Sequence, residues 1–119
     1  MSQVLLAGKD WQARALLRAQ LLEEGVEVEA YETVAAALKS LDESELLPGL
    51  VVADLSASDD PTDDTEKLAP WAKRIPIWII ASRTQIIRSN LRKHGFEMIL
   101  FRPVDVGELV EQIKLRLEK

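Results

Sequence analysis

Asp54 ends an otherwise apolar run, Leu50-Val51-Val52-Ala53-Asp54, and no other carboxylate of the chain stands in such a place. A short apolar run reads as a buried strand, so the strand would deliver Asp54 to one edge of a sheet. Three other apolar runs end on polar residues that could meet it there. Val4 to Ala7 is followed by Gly8-Lys9-Asp10, Ile77 to Ala81 by Ser82, and Met98 to Phe101 by Arg102-Pro103. One carboxylate and two cations support ion pairing or transfer of a charged group more readily than acid-base or thiol chemistry. With no cysteine, disulfides, thiolate nucleophiles and cysteine metal sites are excluded. The only histidine, His94, precedes a glycine, where a cation complements a helix C-terminus, so a histidine metal cluster is excluded too.

The elements that must position these residues follow from hydrophobic periodicity. Val4 to Ala7, ended by Gly8, is a first buried strand. Asp10 is placed to cap a helix carrying Ala13, Leu16, Leu17, Gln20 and Leu21, which Gly25 stops. Val26, Val28 and Ala30 alternate with Glu27 and Glu29 as a half-buried second strand, and residues 33–41 form a second helix. After the third strand, 50–54, residues 55–64 are small and acidic and read as a loop. A third helix begins near Thr62 or Asp64 and runs to Trp71. Residues 77–81 and 98–101 are the fourth and fifth strands, with a helix from Thr84 to His94 between them, stopped by Gly95. Val106, Leu109, Val110, Ile113 and Leu117 give the last helix an apolar stripe.

Five βα repeats with continuous apolar strands imply a parallel sheet covered on both faces. Right-handed crossovers make the expected fold α/β and flavodoxin-like, a doubly wound (βα)5 single domain over residues 1–119 with strand order 2-1-3-4-5. Ligands of such sheets bind beyond the carboxyl ends of the strands, where the strand order switches. That rule gathers Gly8, Lys9, Asp10, Asp54, Ala81, Ser82, Arg102 and Pro103. The net charge of -5 opposes direct nucleic-acid binding, and the absence of a signal-like or spanning segment makes a cytoplasmic protein with no membrane role the expectation. The acidic residues 54–66 lack the glycine and terminal glutamate of a calcium loop. Gly8-Lys9 lacks the rest of a phosphate loop.

Arg14-Leu16-Leu17, Val51-Val52-Ala53-Asp54-Leu55, Ile75-Pro76-Ile77 through Ser82, and His94-Gly95-Phe96 through Phe101-Arg102-Pro103-Val104 occur in order at compatible spacing. In these four segments, over nearly the whole chain, the sequence resembles the receiver domain of two-component response regulators. The resemblance implies that Asp54 is the phospho-acceptor position and that the Arg102–Pro103 bond is cis. It also implies departures. The acidic pair that helps hold a divalent cation in receivers falls on Gly8 and Lys9, with Asp10 one place further on. The hydroxyl residue falls on Ala81, the phosphate-contacting lysine on Arg102 and the switch aromatic on Ile99.

Phosphoryl transfer rests on positioning and charge neutralisation, usually through a metal held by carboxylates. An ammonium at position 9 would repel that metal, so neither a bound metal nor any other cofactor is expected. Two placements of Lys9 are open: an ion pair with Asp54, aided by Arg102 in place of the metal, or a swing into solvent. Ala81 and Ile99 offer no group that would follow a phosphate, so two states would not be distinguished by it.

The reading is therefore a pseudo-receiver without enzymatic activity, serving two-component (phosphorelay) signal transduction as a phosphorylation-independent protein-interaction module. Its partner would be a sensor kinase, an output domain, another signalling protein or a second copy. The resemblance places a partner face on the fourth helix, fifth strand and last helix, where Arg88, Arg92, Glu108 and Glu111 supply mixed charge. One alternative is a working phospho-acceptor using Asp54. Another is a flavodoxin-like domain binding a small molecule or anion over Gly8 and Trp11.

Overall fold

Five parallel strands form one sheet in the order β2-β1-β3-β4-β5, as expected from the sequence. The computed structural model of the protein describes residues 3–84 and 91–118, with the side chains of residues 91 and 92 outside that description. The strands are β1 (Val4–Gly8), β2 (Val28–Tyr31), β3 (Leu50–Asp54), β4 (Ile77–Ala81) and β5 (Met98–Phe101). The described helices are α1 (Trp11–Glu23), α2 (Val34–Glu43), α3 (Pro61–Leu68) and the last helix, α4 (Val106–Leu117).

Alternation along the strands divides the core in two, because successive side chains of a strand point to opposite faces. Leu5, Ala7, Val51, Ala53, Ile77 and Ile79 meet Val34, Ala37 and Leu41 of α2 and Leu68 of α3. Val4, Leu6, Val52, Trp78 and Ile80 meet Leu17 and Leu21 of α1 and Leu109, Val110 and Ile113 of α4. Each fully buried aliphatic side chain contributes about 1.5–3 kcal/mol of transfer free energy. The two apolar faces, rather than any single helix, therefore hold the sheet between its covers. Trp78 combines both demands of a large aromatic: its ring is buried and its indole N–H donates to Glu97 at 2.8 Å.

Local signals account for most boundaries. Asp10 Oδ1 accepts from the Ala13 amide at 3.2 Å, capping α1, and Thr33 and Asp105 cap α2 and α4 in the same way. Gly25 and Gly95 both adopt φ of +79°, the left-handed turn that ends a helical segment and suits glycine.

Four expectations change. Val26 is buried, but its amide bonds back to Leu21 and the second strand starts at Val28, so Val26 closes α1 instead. The second helix extends to Glu43. The third begins earlier than expected because Asp60 caps it and Pro61 sits at its first position, which needs no amide donor. It also ends earlier, at Leu68. Pro70 has no N–H for a further α-turn, and Ala69–Lys73 continue as a 3₁₀ turn. Of the helix expected over 84–94, residues 85–90 lie outside the described residues, and Leu91–His94 form a 3₁₀ turn.

Candidate functional site

Strand register builds the site. Gly8 is the neighbour of Asp54 across β1 and β3, Asp54 that of Ile80 across β3 and β4, and Ala81 that of Phe101 across β4 and β5. All lie at the carboxyl ends of adjacent strands. Gly8 has a steric reason to be glycine: a Cβ there would stand 3.1 Å from Asp54 Cβ.

Both carboxylate oxygens of Asp54 are engaged. Ser56 holds Oδ1 twice, through its amide at 3.0 Å and its hydroxyl at 2.6 Å. Arg102 Nη2 donates to Oδ2, while its Nε donates to Ser56 Oγ at 2.9 Å. Asp54, Ser56 and Arg102 thus form a closed ring of hydrogen bonds. The same Nη2 lies 3.7 Å from Asp10 Oδ2, so the guanidinium stands between two carboxylates. The Asp54 side chain is 14 % exposed and that of Arg102 36 %, so the pair is partly withdrawn from water. A planar guanidinium fork suits this task; an ammonium could not address both residues with the same fixed geometry.

Lys9 corrects the first of its two expected placements. Its ammonium pairs with Asp59 at 2.5 Å instead of with Asp54, and both partners are well exposed. The charge and hydrogen bond of Asp59 hold the Lys9 ammonium above its ordinary pKa. Asp59 comes from the acidic loop after β3, a juxtaposition that the sequence does not reveal. Below it, Ser58 Oγ donates to Asp64 at 2.6 Å. Burial pushes the Asp64 carboxyl up, and the Ser58 bond only partly opposes this.

The remaining expected residues are distributed as follows. Ala81 is buried and its carbonyl accepts from the Arg102 amide at 3.0 Å. Ser82 lies within 3.1 Å of the Thr84 hydroxyl. The Arg102–Pro103 bond is cis. Ile99 packs against the core face that α2 and α3 cover, and Trp11 is exposed at the start of α1. Glu108 and Glu111 are exposed on α4, and Glu111 approaches Lys114 at 3.6 Å. Arg88 and the side chain of Arg92 lie outside the described residues. Two contributors went unnoticed in the sequence. Ser56 was signalled by the Asp-x-Ser spacing, which favours a local side-chain bond. Arg14, in the first turn of α1, donates to the carbonyl of Gly8 at the end of β1.

No protein-family model and no curated protein matches the chain. Solved structures do. The chain is similar to a CheY-like response regulator receiver domain protein from Methanospirillum hungatei, with 21 % identity, 99 % of this chain and 94 % of that one covered, and a TM-score of 0.79. It is also similar to the receiver domain of the Francisella response regulator 1452, at 18 % identity, 99 % and 98 % coverage and a TM-score of 0.78. NtrX from Brucella abortus is a longer protein. There the match has 18 % identity and a TM-score of 0.76, over 97 % of this chain and 26 % of that one. The chain therefore has the flavodoxin-like fold of response regulator receiver domains. Among the described residues, no helix is long and apolar enough to cross a membrane.

Proposed function

We propose that the chain is a receiver-like module of two-component signalling that works through protein contacts, without catalysis and without phosphorylation of Asp54. One observation carries this reading: the Asp54 carboxylate is already occupied by Arg102 and Ser56. An incoming phosphoryl group would have to displace an ionic partner and a hydroxyl donor.

The donor set does not fit the divalent cation that the receiver fold implies. A hard cation wants oxygen ligands, commonly one or two carboxylates with water. Asp54 and Asp10 have a guanidinium between them, and Asp59, on the cleft that Asp54 also borders, is taken by Lys9. Gly8 supplies no ligand, and the Lys9 ammonium nearby is held in its charged form by Asp59. A signal would then be read from a surface of fixed shape, offered to a kinase, an output domain or a second copy. The same fold within the longer NtrX chain is consistent with an output domain as one such partner.

Titration with Mg²⁺ and beryllium fluoride, followed by amide NMR, tests the reading. The expected result is no saturable shift at Asp54, Ser56 or Arg102. Saturable shifts centred on Asp54 would restore the phospho-acceptor alternative.

A further inference from the structure

A cavity of about 60 Å³ lies beside the Asp54–Arg102 pair, between the start of α1 and the segment joining β5 to α4. Its walls are apolar, with Leu6, Ala13, Leu17, Ile80 and Leu109 among them, and it is partly open. Arg14 stands at its lining, half-buried, and donates to the Gly8 carbonyl. It makes no ion pair among the described residues. Asp54 and Arg102 also border the cavity, but their charges are spent on each other. The result is an apolar recess bordered by one guanidinium that has no ionic partner within 4 Å among the described residues. Trp11, in contrast, does not line it.

We infer that this recess binds a short aliphatic carboxylate, its tail among Leu17, Ile80 and Leu109 and its carboxylate on the Arg14 guanidinium. Size selects the ligand class. One water-sized sphere needs about 10–15 Å³ of such volume, so the recess takes about four to six non-hydrogen atoms. Nucleotides and drug-sized molecules, which need about 300 Å³ or more, are too large. Charge selects the head group, because a guanidinium with free N–H donors binds a carboxylate through two parallel bonds. The inference rests on the Asp54–Arg102 pair being intact, as in the unphosphorylated chain.

Butyrate is the probe. Titrated into the full chain and followed by methyl and amide NMR, it is expected to give saturable shifts at Ala13, Leu17 and Leu109. A ligand of this size implies a Kd of about a millimolar. Arg14→Gln is expected to weaken binding about tenfold, the order expected for losing a charge-assisted bond. Butanol, with the same tail and no charge, and acetate, with the charge and almost no tail, are both expected to bind much more weakly. Ala13→Leu, which fills the recess without touching Arg14, is expected to abolish the shifts and covers the case of an unfolded Arg14 variant. The inference is overturned by shifts that never saturate, by acetate matching butyrate, or by unchanged binding in folded Arg14→Gln or Ala13→Leu protein.

Discussion

Replacing Arg102 with methionine removes the guanidinium while keeping most of its aliphatic stem, so the loss reports the polar contacts rather than packing. Two bonds disappear, Nη2 to Asp54 Oδ2 and Nε to Ser56 Oγ. What remains is a carboxylate still held on Oδ1 by Ser56 but without a cation. A fully exposed pair is worth under about 1 kcal/mol, and breaking a fully buried one costs about 3–5 kcal/mol. With Asp54 14 % and Arg102 36 % exposed, the cost falls between these limits, at about 2 kcal/mol. For a domain of this size that lowers Tm by about 6–10 °C. Arg102→Lys keeps the charge but not the fork, and is expected to lose about 1 kcal/mol. Urea unfolding followed by tryptophan fluorescence gives each value as a shift in midpoint at constant slope. Asp54→Asn supplies the other arm of a double-mutant cycle, because asparagine retains an oxygen for Ser56. The coupling between positions 54 and 102 is expected at about 1–2 kcal/mol. An Arg102→Met protein within about 0.5 kcal/mol of wild type, the scatter of ordinary surface changes, would refute the ring as a stabilising unit. So would a coupling near zero.

Two further expectations concern the scaffold. Burial raises the Asp64 pKa in the folded protein above its unfolded value, so its contribution to stability is present at low pH and is lost as pH rises through the folded value. Relative to Asp64→Asn, wild type should therefore gain stability as pH is lowered from neutrality into the ordinary carboxylate range; the opposite trend in urea midpoints contradicts the burial argument. Gly25→Ala forces a side chain into φ of +79° with no packing gain, since no heavy atom lies within 4 Å of the added Cβ. It is expected to cost about 1 kcal/mol by the same unfolding assay, and a neutral result would show that the turn relaxes without strain.

The sheet was legible because it rests on short-range rules. Apolar runs gave the strands, and the βα alternation gave their order. The caps Asp10 and Asp105 and the stops Gly25 and Gly95 depend on side-chain chemistry within a few residues. The third helix was misread for a reason also local. The capping role of Asp60 is hidden among the neighbouring carboxylates, and Pro70 ends the α-helical hydrogen-bond ladder before Trp71. The strand expected from Val26 shows the other limit. Alternation identifies buried positions, but Val26 is buried by the end of α1 rather than by strand pairing.

The site was legible in its membership and not in its pairing. Register fixes which backbone positions share a strand end, so Gly8, Asp54 and Arg102 assemble where the topology rule puts them. Which cation meets Asp54 depends instead on long side chains and on a loop. Lys9 is adjacent to Gly8, yet Asp59, 50 residues away in sequence, captures it. Arg102 lies 48 residues from Asp54 and captures the carboxylate. The physical preference becomes clear once Ser56 is counted. A site offering one carboxylate favours either cation, whereas a carboxylate and a hydroxyl side by side favour a planar fork that donates to both.

The substitutions at this strand end are therefore not independent. Gly8 lets β1 and β3 run close enough that even a methyl group at position 8 would stand 3.1 Å from Asp54 Cβ. A carboxylate introduced there would add that crowding to a second negative charge beside Asp54. The guanidinium already lies within ion-pair distance of both Asp54 and Asp10. A side chain at position 8 would thus require its neighbours to give by a few tenths of an ångström, and the Arg102 guanidinium would have to share Asp54 with it. Asp54 survives in this arrangement as the acceptor for Arg102 and Ser56. Its retention alone is consequently weak support for phosphorylation, because the same residue is needed to hold the ring together.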